Sequence, residues 1–121
     1  MIKPEDLRIG NLFEYNTSEG WENNIIDWED ISHCVVYNDS FNRRYRPIPL
    51  TEKILLDCGF EKQMAWTFRK SLIGNLYMVY YLGEKGWSIG NKNYSDFPCE
   101  HLHTLQNVIY DLSKTELIIK L

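Results

Sequence analysis

Residues 64–90 read MAWTFRKSLIGNLYMVYYLGEKGWSIG, and the fold turns on how this run is read. Met64, Trp66 and Phe68 alternate with Ala65, Thr67 and Arg69, a period of two that belongs to a strand. LYMVYYL, residues 76–82, continues in the same period, with Leu76, Met78, Tyr80 and Leu82 on one face and Tyr77, Val79 and Tyr81 on the other. A turn over Gly83 to Gly86 leads into a third strand at 87–90. The run therefore predicts a three-stranded antiparallel meander with one face covered and the other partly wet.

What covers it is sought in PCEHLHTLQNVIYDL, residues 98–112. Leu102, Leu105, Ile109 and Leu112 recur at steps of three and four, which places them along one side of a helix of about three turns. On the other flank, TEKILLDCGF (51–60) predicts a short helix over 51–58 with Thr51 as its N-cap. Gly59 falls where a helix ends in a left-handed residue, and Phe60 is placed to fold back on Leu55 or Leu56.

The first fifty residues are less regular. Pro4, Glu5 and Asp6 suggest one helical turn ending before Gly10, and NLFEY predicts a strand over 11–16. Two β-rich runs follow at 21–28 and 31–37, the second carried by Ile31, Val35 and Val36, and DSFN is read as a turn. RRYRPI (43–48) is expected as a strand that Pro47 confines to an edge. Four short strands would make a small bent sheet or an SH3-like partial barrel. The expectation for residues 1–121 is one α+β domain.

The chain has 121 residues, is 44% apolar and carries a net charge of −4, all within the range of soluble globular domains. Cys34, Cys58 and Cys99 form an odd set with no CxxC spacing, which suits a reducing compartment. With no signal-peptide pattern and no apolar run of about 20 residues, the expected location is the cytoplasm, away from membranes. Charge is unevenly distributed: residues 1–40 sum to −7 and residues 41–70 to +4.

Two patterns raise enzymatic readings. Cys99 and His103, four apart, with His33 and Cys34 from elsewhere, contain the right ligand types for zinc but match none of its recurrent spacings. The same Cys99 and His103 suggest a thiol activated by an imidazole, yet no third, orienting group accompanies them. His101 and His103, two apart, would diverge on a helix, and Glu100 would sit in its first turn. No phosphate loop or HExxH pattern is present. The expectation is a non-enzymatic protein without metal or cofactor.

Binding is better served. FNRRYRP (41–47) groups Arg43, Arg44 and Arg46 with Tyr45, residues suited to phosphate contact and base stacking, and equally to guarding an edge strand. Glu22, Asp27, Glu29 and Asp30 suggest a carboxylate surface for a basic groove of another protein, or simply a solvated acidic face.

At LRIGN (7–11), PIPLTEKILLDCGF (47–60) and HTLQNVIYDLSKTEL (103–117), the chain resembles small uncharacterised proteins encoded by phages, prophages and mobile elements. These share the LRIGN-like opening, the PIPLT-type helix entrance and the H-x-LQN helix, here His103, Leu105, Gln106 and Asn107. The polar side of that helix is expected to bind backbone groups. The resemblance implies a counter-defence role, an anti-CRISPR protein against a type VI RNA-guided RNase in a bacterial host cell, binding the nuclease or its guide-RNA channel. The alternative is a small RNA-binding or regulatory phage protein that acts without such a partner.

Overall fold

A computed structural model gives the fold and describes residues 1–72, 74–81, 83, 86–91 and 94–119. Eight strands form two antiparallel sheets, and four α-helices complete an α+β architecture. The larger sheet holds β4 (Glu61–Met64), β5 (Thr67–Leu72), β6 (Asn75–Tyr81), β7 (Trp87–Asn91) and β8 (Tyr94–Pro98) in sequence order. The three strands expected from period two are its centre, and each edge gains one more strand. Leu82 and residues 84–85 of the expected turn lie outside the described residues.

The alternation expected at 64–71 is broken by a turn. Met64 pairs with Thr67, leaving Ala65 and Trp66 between β4 and β5, and Trp66 has φ +66°. Phe68 faces Val79, which faces Ile89, so three adjacent strands bring one apolar stripe to the same side. Those three and Tyr77 are fully buried, whereas Leu76 and Tyr81 are exposed.

α4 (Leu102–Ser113) covers that stripe. Leu102, Leu105 and Ile109 join Phe68, Tyr77, Val79 and Ile89 in one core with α3 (Glu52–Asp57), as the spacing predicted; Leu112 points outward. In α3, Thr51 accepts a hydrogen bond from the Ile54 N–H, Gly59 takes φ +85°, and the Phe60 N–H returns to the Leu55 carbonyl. Both ends of the helix are satisfied as the sequence suggested.

The N-terminal sheet is open, not barrel-like. It has three strands in the order β2-β1-β3: β1 (Leu12–Thr17), β2 (Gly20–Ile25) and β3 (Tyr45–Pro47). The expected strand at 31–37 is instead part of α1 (Trp28–Val36), and the expected turn at 39–42 lies in α2 (Asn38–Arg44). The reason is local. Asp27 accepts from the Asp30 N–H at 3.0 Å and Asp30 accepts from the Asp27 N–H at 3.0 Å, a reciprocal cap that fixes a helix start. Ile31 and Cys34, three apart, then face Phe13, Ile26, Phe41 and Tyr45 in a second, smaller core. Tertiary burial outweighed the β-propensity of Val35 and Val36.

β3 is an edge strand, as Pro47 required, but it is shorter than expected, and Arg43 and Arg44 end α2 instead of starting it. Among the described residues no helix is long and apolar enough to cross a membrane.

Candidate binding surfaces

The LRIGN and PIPLT segments converge on the approach to α4 and its first turns, where H-x-LQN lies. Gln106 accepts from the Leu12 N–H at 2.9 Å and donates to the Gly10 carbonyl at 3.2 Å, so one side-chain amide satisfies two backbone groups of the opening segment. Asn107 receives bonds from Arg8 Nε (3.1 Å) and Asn11 Nδ2 (2.8 Å) and donates to the Asp6 carbonyl (3.1 Å). Arg8 also lies 4.2 Å over the Tyr110 ring and pairs with Glu116. The PIPL segment binds the strand-like approach to the same helix: Leu50 N–H donates to the Glu100 carbonyl and Leu102 N–H to the Ile48 carbonyl. The expected backbone binding by the polar side of H-x-LQN is therefore met within the chain. These motifs join segments about 50 to 100 residues apart, and their chemistry is used internally.

The cysteines of the two enzymatic readings lie buried in different cores. Cys99 is fully buried in the larger core and its thiol is pushed up to about 12 by burial, then by Glu100, which leaves it protonated at neutral pH. Cys34 lies in the other core, and His33 contacts Ser40 at 3.3 Å from α1. Among the described residues no group of three or more histidine, cysteine or acidic side chains is placed to hold a metal ion.

His101 and His103 do not diverge. His101 precedes the helix with extended backbone (φ −129°, ψ 154°), so its ring stacks beside that of His103 at 5.7 Å between centroids. Glu100 likewise precedes the helix instead of sitting in its first turn. His103 packs on Phe13 at 4.6 Å, and burial, with His101 next to it, lowers its pKa to about 4. Burial also lowers that of His101, with Glu100 opposing.

The arginine segment is divided by the fold. Tyr45 is buried, stacked on Phe41 at 4.1 Å, with its hydroxyl on Asp30; burial and that bond raise its pKa. Neither ring offers a stacking platform for a base. Arg46 pairs with Glu14 at 2.9 Å and lies 4.1 Å over Trp21, and Arg44 reaches the Tyr15 hydroxyl at 3.4 Å. Arg43 stays exposed at the end of α2. Of the four expected nucleic-acid residues, Tyr45 is thus buried, while Arg43, Arg44 and Arg46 are exposed.

The acidic segment fares differently. Asp30 is held by Asp27 and Tyr45, but Glu22, Asp27 and Glu29 are exposed. Between Asp27 and Tyr37 the outer side of α1 carries a feature that sequence reading missed. Trp28 is 68% exposed, and Val35 and Val36 are each 62% exposed. Positions 28, 32, 35 and 36 share one side of a helix, so Trp28, Val35 and Val36 make an apolar stripe with exposed Ser32 set into it, whereas exposed Tyr37 lies edge-on to His33 on another side. Recognising DWED as a cap would have revealed it. No lysine or arginine occurs between Arg8 and Arg43, so the stripe has only carboxylates as charged neighbours within its own segment.

No family model, no curated protein and no solved structure matches the chain.

Proposed function

We propose that this is a non-enzymatic binding protein whose α1 face docks into a basic, partly apolar groove of another protein. The observation that carries the reading is the exposed Trp28, Val35 and Val36 stripe beside Asp27 and Glu29. An apolar anchor supplies the affinity of such an interface, and flanking charge selects the partner and speeds encounter. A nucleic-acid channel of a protein has the matching chemistry, because it is cationic and lined to take flat apolar bases.

The partner proposed is a host RNA-guided nuclease in a bacterial cell, and occupancy of its guide or substrate channel would inhibit it without any turnover. This choice of partner rests on the resemblance. RNA contact through Arg43 is secondary, because Tyr45 and Phe41 are buried.

Size-exclusion co-migration and RNA-cleavage assays with the purified nuclease test the proposal. The wild-type chain is expected to bind and inhibit, and Trp28→Ala/Val35→Ser is expected to weaken inhibition about a hundredfold or more while melting like wild type. Guide RNA offered alone separates the readings: binding to RNA without the nuclease, retained in the Trp28→Ala/Val35→Ser variant, would favour an RNA-binding regulator instead.

A further inference from the structure

The two sheets have four outer strands, and three of them are guarded against pairing with another chain. β3 has three residues and ends in Pro47, β4 carries Lys62 and a break in register, and β8 ends in Pro98 after another break. β2 has no such guard. Its register with β1 runs unbroken from Gly20 to Ile25, and it contains neither proline nor lysine.

The pairing decides which backbone groups this edge offers. The Ile26 N–H donates to the Asn11 carbonyl at 2.8 Å, and Thr17 and Gly20 close a two-residue turn, so Gly20, Glu22 and Asn24 turn their backbone groups towards β1. The N–H and C=O groups of Trp21, Asn23 and Ile25 therefore point to the open side, and among the described residues no hydrogen bond reaches them. Ile25 is 67% exposed, and with Leu12, Asn23, Leu117 and Ile119 it lines a recess of about 420 Å³.

We propose that β2 is a self-association edge, at which two copies of this chain pair antiparallel about a two-fold axis at Asn23 and join their small sheets into one of six strands. In that register the open groups of Trp21 and Ile25 meet those of Ile25 and Trp21 in the second copy, and Asn23 meets its own counterpart. Trp21 then lies beside the exposed Ile25 of the second copy, an aromatic and β-branched pair of the favourable kind. Glu22, the one charge of the strand, falls opposite Asn24, whose amide can donate to it. An axis at residue 22 would set Glu22 against Glu22, and an axis at residue 24 would put Trp21 opposite Asp27, beyond the strand. An extended peptide of another protein would use the same backbone groups, but this matching of the strand to itself singles out a second copy. Six residues a side are fewer than the roughly 20–30 of a tight interface, so the association is weak and depends on concentration. The proposal does not depend on the α1 reading, since Trp28, Val35 and Val36 lie outside this edge.

Sedimentation velocity of the full chain from about 20 µM to about 1 mM tests it, with amide exchange followed at both ends of that range. A reversible shift from monomer to dimer is expected, with slower exchange at Trp21, Asn23 and Ile25 in the concentrated sample. Two lysine variants of equal net charge separate the register from general repulsion. Asn24→Lys puts a cation opposite Glu22 and is expected to tighten the dimer about threefold or more, whereas Asn23→Lys sets two cations face to face and is expected to weaken it by about as much. Should either variant fail to fold, exchange in the wild-type chain decides alone. The proposal is overturned if the chain stays monomeric across the range, if a dimer forms without protecting those three amides, or if both lysine variants move association in the same direction.

Discussion

His103 shows how one buried side chain sets a pH dependence. Its folded pKa of about 4 lies below the ordinary histidine value of 6.5, so between those limits the unfolded chain holds more protons than the folded one. Its contribution is complete above pH 6.5 and declines as pH falls towards 4. The full shift corresponds to roughly 3 kcal/mol. Urea unfolding of wild type should therefore show stability rising from pH 4 to 6.5, and His103→Gln should flatten that slope; an equal slope in both proteins would assign it to other groups. The cysteines give a second check. Cys34, Cys58 and Cys99 are all buried, and Cys58 and Cys99 are each pushed up to about 12, mainly by burial. A colourless-to-coloured thiol reagent should react with none of them in the native protein and with three per chain after denaturation.

Among the elements, α4 has two functions, and the side chains at 106 and 107 separate them. Its apolar side closes the larger core, while Gln106 and Asn107 hold the N-terminal segment. Gln106→Ala leaves the buried Leu12 N–H without a partner, which should cost about 1–3 kcal/mol in thermal or urea unfolding. Thr51→Ala, which removes only the cap of the short α3, should cost about 1 kcal/mol. A larger loss at Thr51 than at Gln106 would contradict this ranking. The same contrast explains what was legible in the sequence. α3, α4 and the centre of the large sheet announce themselves because their signals are local: a cap, a left-handed glycine, a step of three and four, a period of two. α1 was hidden because Val35 and Val36 favour strands, and its helix is fixed by the Asp27–Asp30 cap and by Cys34 entering a core that Phe13 and Phe41 complete. The candidate surface on α1 was half visible: the carboxylates could be named from sequence, but the apolar stripe exists only once 28, 35 and 36 lie on a helix. Trp66 was misplaced for a similar reason, since alternation alone does not show that a tryptophan occupies a turn at φ +66°.

At the scale of the whole molecule, two unequal cores meet at β1 and α4. Adjacent residues divide between them: Leu12 belongs to the larger cluster and Phe13 to the smaller, while His103 packs on Phe13 and Leu102 and Leu105 face the other way. Among the described residues the smaller cluster rests on six buried side chains against sixteen, so it should open first. Backbone grip compensates in part. Asn38 and Asn42 donate to the Ile2 carbonyl, and the Ile2 N–H donates to Asn42, tying the first residues to α2. Native-state hydrogen exchange should then show α1 and α2 amides exchanging through openings of lower free energy than those of β5, β6 and β7. Phe41→Ala, at a fully buried ring stacked on Tyr45, should reduce protection in α1 and α2 by about 3 kcal/mol. Protection in the central strands should fall less, because Phe68, Val79 and Ile89 keep their contacts with α4. A uniform loss across both sheets would mean that the two cores unfold as one, and that the α1 face is as rigid as the sheet behind it. A graded loss would place the proposed docking helix on the part of the fold most able to adjust to a partner.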